Sequence, residues 1–134
     1  SSPDTMIFYS ANRFYLLMEE YGVKGRNLYI FLRWTFDLVY PIVYGWFFVS
    51  LLVYLMKKLK HIYNWMLYLV ILAVLMDYLE NIFSTINVAI FPKKIPFLVY
   101  IMQGTSLLKW LFIILVMINI LVLTFFYVKQ KSKT

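Results

Sequence analysis

Long apolar stretches, each ended by basic or turn-forming residues, make up most of the chain. The first covers residues 28–56 and the second covers residues 63–91. A helix needs about 20 predominantly apolar residues to cross the hydrocarbon core of a bilayer, so each stretch predicts one transmembrane helix. Pro41 lies inside the first stretch. Because its ring removes a backbone donor and crowds the preceding turn, we expect a kink near Phe36 or Asp37.

The last apolar stretch, residues 95–128, is too long for one untilted crossing. As a single helix rising about 1.5 Å per residue it would extend about 50 Å, against a hydrocarbon core of about 30 Å. The polar run QGTS at 103–106 offers a place for a break. We therefore expect a short interfacial or re-entrant segment at 95–103, a third span at 105–128 and a basic tail at 129–134.

Residues 10–21, SANRFYLLMEEY, precede these spans and follow a different pattern. Apolar side chains recur at helical spacing with charged residues between them, and Ser10 is a suitable N-cap. The segment is too short to span a bilayer, so it predicts an amphipathic helix in the interface, followed by a break at Gly22 and Gly25. The chain is thus expected to form a single all-α integral membrane domain with three transmembrane helices, or four counting the re-entrant segment.

Composition agrees with a lipid environment, since 63% of the residues are hydrophobic and 14% are charged. Soluble domains have about 45–50% apolar and about 25% charged residues. The net charge of +7 does not indicate nucleic-acid binding, because the basic residues form short clusters beside apolar runs, where they anchor helix ends. With no Cys and a single His, thiolate chemistry and a multi-His metal site are excluded within one chain.

The distribution of charge predicts an orientation. Three spans place the loop at 57–61 and the C-terminal tail on one side of the membrane, and both carry only basic charges. The opposite side mixes basic residues with acidic ones such as Glu19 and Glu20. Because Lys and Arg near the spans favour the cytoplasm, the N-terminus is predicted to lie outside and the C-terminus in the cytoplasm.

One face of the second span carries polar residues. They occupy positions i, i+3, i+4 and i+7, which share a helical face, and they are Asp77, Glu80, Asn81 and Ser84. A carboxylate near the bilayer centre costs about 2.5–3.5 kcal/mol on insertion scales. These side chains must therefore be paired, protonated or hydrated rather than exposed to lipid.

Polar residues of the other spans are expected to meet this face. Arg33 precedes Asp37 by one turn, the spacing of an ion pair within one helix, and Tyr40 and Tyr44 share the face of Asp37. Lys109 is the only charged residue of the third span. Counted at about 1.5 Å per residue, these groups all lie in the outer half of the membrane, where we predict a pocket that binds a lipid or a small polar ligand. The predicted ligand-binding residues are Arg33, Asp37, Tyr40, Asp77, Glu80, Asn81, Ser84 and Lys109.

Roles in this pocket follow from side-chain chemistry. Asp77 and Glu80 would serve as hydrogen-bond acceptors or as a general acid–base pair. Arg33 and Lys109 would contact an anionic group of the ligand. Carboxylates also suit Mg²⁺ or Ca²⁺, but no spacing in the chain fixes a metal ligand set or a nucleophile. The sequence therefore assigns no catalytic residue, no metal and no cofactor.

Two other classes of function stay open. Membrane helices gain from buried hydrogen bonds and ion pairs, so the same residues could simply lock the helices of a structural or interaction subunit. Such a subunit would dock onto a membrane protein partner or a second copy of itself. The other alternative is a membrane-embedded enzyme that uses the paired carboxylates, although the sequence names no substrate.

Three short motifs in the apolar stretches combine an ionisable residue with aromatic or polar neighbours. They are Asp37-x-x-x-Pro41-x-x-Tyr44-Gly45, Asp77-x-x-Glu80-Asn81 and Ser106-x-x-Lys109-Trp110. Together they resemble an uncharacterised family of small prokaryotic polytopic membrane proteins. The resemblance covers most of the chain, and it implies that these positions form one unit without implying an activity.

Overall fold

The computed structural model describes residues 10–133 and is built from four helices. They are α1 (Ala11–Arg33), α2 (Phe36–Leu59), α3 (Asn64–Ala89) and α4 (Pro96–Ser132). Within the described residues there is no strand. Three helical stretches are long and apolar enough to cross a membrane, namely Ala11–Leu59, Asn64–Ala89 and Pro96–Ser132. The prediction of an all-helical protein with three apolar stretches of spanning length is confirmed.

The helix α1 consists of two parts joined at Gly22. Ser10 caps its start, because its side chain accepts a hydrogen bond from the Arg13 backbone N–H at 3.2 Å. Gly22 has φ 69° and ψ 179°, a conformation that is open to glycine because it lacks a Cβ. Gly25 lies inside a helical turn. The predicted break thus falls at Gly22 alone.

The first part of α1 covers one end of the bundle. Phe14 and Met18 are fully buried in a cluster with Val88 near the end of α3 and Val99 near the start of α4. In the second part, Arg26 Nη1 donates a hydrogen bond to the Met18 carbonyl at 2.6 Å. The Arg26 side chain therefore links the second part of α1 to the first part across the break at Gly22.

The predicted first span, residues 28–56, is divided between two helices. The helix α1 ends at Arg33 and α2 begins at Phe36, so the break lies just before the kink expected near Phe36 or Asp37. In an unbroken helix the Arg33 carbonyl would bond the Asp37 N–H. Here it accepts a hydrogen bond from Asn81 Nδ2 of α3 at 2.9 Å. A contact from another helix therefore stabilises the break.

The predicted break at 103–106 is wrong, and residues 95–103 do not form a separate segment. The helix α4 runs without interruption over Pro96–Ser132. Inside it, Thr105 Oγ1 donates a hydrogen bond to the Met102 carbonyl at 2.8 Å. A hydroxyl that bonds its own helix in this way is compatible with an interior helical position. The polar run therefore lies within the helix instead of ending it.

The predicted third span at 105–128 and the basic tail as far as Ser132 are parts of this same helix. Lys133 is its C-cap, and Thr134 lies outside the described residues. The 37 residues of α4 extend about 55 Å at about 1.5 Å each. Near its C-terminal end, Gln130 Nε2 donates a hydrogen bond to the Lys58 carbonyl at 3.2 Å. The end of α4 therefore lies beside the connection between α2 and α3.

Near this end, α2, α3 and α4 pack around an apolar cluster. Its buried members are Leu52, Leu55, Met56, Met66, Val70, Val116 and Leu123. The helices α2 and α3 approach each other closely at Gly45, where a Cβ would lie 2.9 Å from Val74 Cγ2. None of the buried charged residues within residues 10–133 belongs to the apolar cluster. They lie in the other half of the bundle.

Candidate functional site

The polar face of α3 is buried in that other half. Asp77 and Glu80 are 6% and 2% exposed, and Asn81 and Ser84 are 0% exposed. Their spacing puts them on one side of α3, which faces the interior of the bundle. All four side chains are therefore removed from the surroundings of the protein, and their available partners are other groups in its interior.

Glu80 connects three helices through its two carboxylate oxygens. Oε1 accepts a hydrogen bond from Arg33 Nη2 of α1 at 3.1 Å. Oε2 lies 3.0 Å from Lys109 Nζ of α4, an ion-pair distance without hydrogen-bond geometry. Because all three side chains are buried, their charges compensate one another and fasten α1 and α4 to α3.

The Arg33 guanidinium is engaged by further side chains. It donates hydrogen bonds to Tyr29 Oη at 3.0 and 3.2 Å. It also lies 3.5 Å from Asp37 Oδ2, whose side chain is 40% exposed. Together with Glu80, these contacts occupy the guanidinium from several sides. An anionic ligand would therefore have to displace partners that belong to the protein.

Asp77 has a different environment from Glu80. Its Oδ2 accepts a hydrogen bond from the Tyr44 hydroxyl of α2 at 2.9 Å. Within residues 10–133 it takes part in no ion pair. The two carboxyl groups that share the polar face thus have separate partners. Two cations compensate Glu80, whereas a neutral phenol contacts Asp77.

A cavity of about 240 Å³ opens between α2, α3 and α4 beside these groups. Tyr40 and Trp110 are 64% and 50% exposed and form its rim. Phe48 packs on the apolar cluster and closes the cavity on that side. The wall combines charged, aromatic and apolar side chains, which are Arg33, Asp37, Tyr40, Pro41, Tyr44, Phe48, Asp77, Glu80, Lys109, Trp110 and Ile113.

Most of the predicted site residues line this cavity. Those that do so are Arg33, Asp37, Tyr40, Asp77, Glu80 and Lys109. Asn81 and Ser84 do not, since they are buried further along the same face of α3. Asn81 Nδ2 instead donates a hydrogen bond to the Arg33 carbonyl at the helix break. Within the part of the chain that the structure describes, Asn81 Oδ1 and Ser84 Oγ have no hydrogen-bond partner.

Three aromatic residues of the lining were not among the predicted ligand-binding residues, although two of them, Tyr44 and Trp110, belong to the motifs noted in the sequence. Tyr44 and Phe48 follow Tyr40 at intervals of four residues, and their ring centroids are 5.5 Å (Tyr40 to Tyr44) and 6.0 Å (Tyr44 to Phe48) apart. Trp110 follows Lys109, whose Nζ lies 5.0 Å from the Trp110 ring centroid. The regular spacing on α2 is the signal that could have identified the first two.

The arrangement separates the single histidine of the chain from the polar face of α3. His61 lies in the connection between α2 and α3, about 30 Å along α3 from Ser84, so these two residues cannot form a nucleophile–base pair. Within residues 10–133 there is no group of three or more His, Cys, Asp or Glu that could hold a metal ion. The cavity instead offers ionic, hydrogen-bonding and aromatic contacts.

Comparisons with protein-family models, with curated proteins and with solved structures find no match to this chain. Any inference about function therefore depends on the cavity, its charges and the apolar surface around it.

Proposed function

We propose that the cavity between α2, α3 and α4 binds a lipid or a small polar ligand inside the membrane. The observation that carries this proposal is that buried charged groups line an open cavity of about 240 Å³. A cluster that only locked helices together would pack without such a space. Ionisable residues in membrane helices are costly, and they commonly mark the path or the site of a substrate or ion.

The rim of the cavity supports entry from the lipid side. Tyr40 and Trp110 lie on stretches of spanning length, and half or more of each residue is exposed. In a bilayer, this rim would face lipid between α2 and α4. A headgroup can enter by that route while its acyl chains stay in the bilayer, and a small amphiphile can enter in the same way.

We infer further that the end of the bundle with the α2–α3 connection lies in the cytoplasm, with the N-terminus outside and the first part of α1 in the interface. The contact between Gln130 and Lys58 supports this, because it brings two basic segments to one end. Basic residues beside membrane spans favour the cytoplasm. The cavity would then lie in the outer half of the membrane.

Cysteine labelling tests this orientation, since the chain has no Cys of its own. We expect Asn12→Cys to react with a membrane-impermeant maleimide in intact cells. Lys133→Cys should react only after the cells are opened. The reverse pattern would show that the protein has the opposite orientation.

The ion pairs around Glu80 favour a second candidate function, a structural or interaction subunit. In that case the contacts of Glu80 with Arg33 and Lys109 would lock the helices, and the apolar surface would meet a membrane protein partner or a second copy. The contacts give less support to an enzyme with paired carboxylates. Two cations engage Glu80, while Tyr44 contacts Asp77.

Filling the cavity should separate the two candidates. Ile113 lines the cavity, whereas Ile114, the next residue, is 52% exposed and outside the lining. We would purify the natural protein, Ile113→Trp and Ile114→Trp from membranes in a mild detergent. Native mass spectrometry then identifies small molecules that remain bound, and circular dichroism checks that helix content is unchanged.

We expect the natural protein and Ile114→Trp to retain the same molecule. Ile113→Trp should retain about tenfold less, the loss that corresponds to about 1.4 kcal/mol of binding free energy. Equal retention by all three proteins, or retention by none, would contradict a ligand in the cavity and support the structural candidate.

A further inference from the structure

Lys109 shows how this cavity accommodates an ammonium group. Its Nζ lies 3.0 Å from Glu80 Oε2 and 5.0 Å from the centroid of the Trp110 ring. A carboxylate and an aromatic ring therefore contact the same ammonium group. These are the two interactions by which proteins recognise organic cations.

Asp77 also offers a carboxylate beside aromatic rings, and the Lys109 ammonium acts on it only from beyond ion-pair distance. Its carboxylate lies in the cavity wall and contacts the Tyr44 hydroxyl at 2.9 Å. Tyr44 stands between Tyr40 and Phe48 in a row of rings on α2. A carboxylate that has no ion pair within residues 10–133 thus lies beside an aromatic wall.

The charges of the lining favour a cationic ligand over an anionic one. Three carboxyl groups, those of Asp37, Asp77 and Glu80, face the two basic groups of Arg33 and Lys109. Both basic groups contact Glu80, at 3.1 and 3.0 Å. An anion would have to break these buried pairs. A cation with one positive charge would instead compensate the third carboxylate of the lining.

The size of the cavity favours a small group. A volume of about 240 Å³ lies below the roughly 300–1,000 Å³ of pockets that enclose drug-sized ligands. An ethanolamine or choline group is a small ammonium compound of the kind that fits such a space. The half-exposed rim leaves room for the rest of a larger molecule to stay outside.

We propose that the ligand of the cavity carries a primary or quaternary ammonium group, which binds between the Asp77 carboxylate and the rings of Tyr44 and Phe48. This inference rests on the proposed function and adds the chemical class of its ligand. It replaces the expectation that Arg33 and Lys109 contact an anionic group. The ammonium group can belong to a phospholipid headgroup or to a free amine.

Native mass spectrometry of the full chain in detergent tests the class of ligand. The probes are phosphatidylethanolamine, phosphatidylcholine and phosphatidylglycerol with identical acyl chains, and free ethanolamine and choline in calorimetric titrations. If a headgroup is the source, an amine-containing lipid should be retained about tenfold better than phosphatidylglycerol. If a free amine is the source, ethanolamine or choline should bind while the three lipids are retained equally.

Two pairs of variants locate the binding. Asp77→Asn should weaken retention of the amine probe about tenfold, whereas Glu20→Gln removes the same charge from an exposed position and should change nothing. Phe48→Leu should weaken retention about fivefold, because an aromatic face is lost. Phe47→Leu alters the adjacent ring, which lies outside the lining, and should leave retention unchanged. If Asp77→Asn does not fold, Phe48→Leu alone tests whether the amine binds in the cavity.

Three outcomes would overturn the inference. Preferential retention of phosphatidylglycerol would show that the ligand is anionic, and the proposed function would still stand. Amine binding that survives both Asp77→Asn and Phe48→Leu would place the amine outside the cavity. Binding of no probe by the natural protein would also overturn the inference, and the Ile113→Trp comparison then decides separately whether the cavity has any ligand.

Discussion

The two halves of the bundle hold their helices together by different kinds of contact. In the half with the apolar cluster, α2 and α4 meet through aliphatic side chains such as Leu52 and Val116, which are both 0% exposed. In the other half, Glu80 links α3 to its neighbours through two ion pairs, and a cavity of about 240 Å³ lies beside it.

This contrast bears on the binding role proposed for the charged half. Close packing of apolar side chains holds membrane helices together without any charge. Since the apolar cluster already joins α2, α3 and α4, the pair of Lys109 with Glu80 is not needed merely to bring α4 to α3. The pair of Arg33 with Glu80 fastens α1, which contributes no residue to the cluster. The charged half carries the groups that the proposed binding site requires, and variants in each half should show that difference.

The largest effect is expected in the charged half, for Glu80→Ala. This change leaves Arg33 and Lys109 buried without their shared partner, which should lower the free energy of unfolding by about 3–5 kcal/mol. Unfolding in mixed micelles with increasing dodecyl sulfate, followed by circular dichroism, measures it. Glu20→Ala is the exposed control and should stay within about 0.5 kcal/mol. A loss below about 1 kcal/mol for Glu80→Ala would mean that the ion pairs contribute little.

A large effect of another kind is expected in the apolar cluster. Leu52→Ala opens a cavity in close packing and should cost about 2–5 kcal/mol in the same unfolding assay. Leu121, which is 69% exposed, provides the matched change Leu121→Ala with little expected effect. Ligand retention by folded Leu52→Ala should equal that of the natural protein. Loss of the ligand from this variant would show that the two halves are coupled.

The contact between α2 and α3 near the border of the two halves gives an intermediate effect. In Gly45→Ala the new methyl group would lie 2.9 Å from Val74 Cγ2, and such overpacking typically costs about 1–3 kcal/mol. Gly104→Ala meets nothing within 4 Å and should stabilise α4 by about 0.5–1 kcal/mol. Equal responses of the two variants in the unfolding assay would contradict close approach at Gly45.

The smallest effect is expected for Tyr44→Phe. It removes the hydroxyl that donates to Asp77 but keeps the ring, so the free energy of unfolding should fall by about 0.5–1.5 kcal/mol. Tyr68→Phe, at a residue that is 61% exposed, is the control. A fall above about 3 kcal/mol would mean that Asp77 depends on this phenol as strongly as Glu80 depends on its cations.

Helical periodicity and the cost of charge in lipid predicted a large part of this structure. The second span was expected at 63–91, and α3 covers Asn64–Ala89. The spacing of Asp77, Glu80, Asn81 and Ser84 predicted one shared face, and all four are buried. Both results follow from properties of a single helix, which the sequence pattern contains.

Features that depend on contacts between helices could not be predicted in this way. The spacing of Arg33 and Asp37 indicated an ion pair within one helix, but the closer partner of Arg33 is Glu80, far away in the chain. A hydrogen bond from Asn81 of α3 stabilises the helix break after Arg33, and no pattern within either helix indicates this contact. The cavity itself depends on how α2, α3 and α4 pack around it, and no local pattern specifies this packing.

The hydrogen bond from Asn81 to the carbonyl at the helix break has a consequence for biogenesis. The break at Arg33 is synthesised before Asn81, and a backbone carbonyl without a partner in the hydrocarbon core costs several kcal/mol. Until α3 enters the bilayer, the break must stay near headgroups or water. We therefore expect the first apolar stretch to reach its final depth in the membrane together with α3, so that the two are inserted as one cooperative unit.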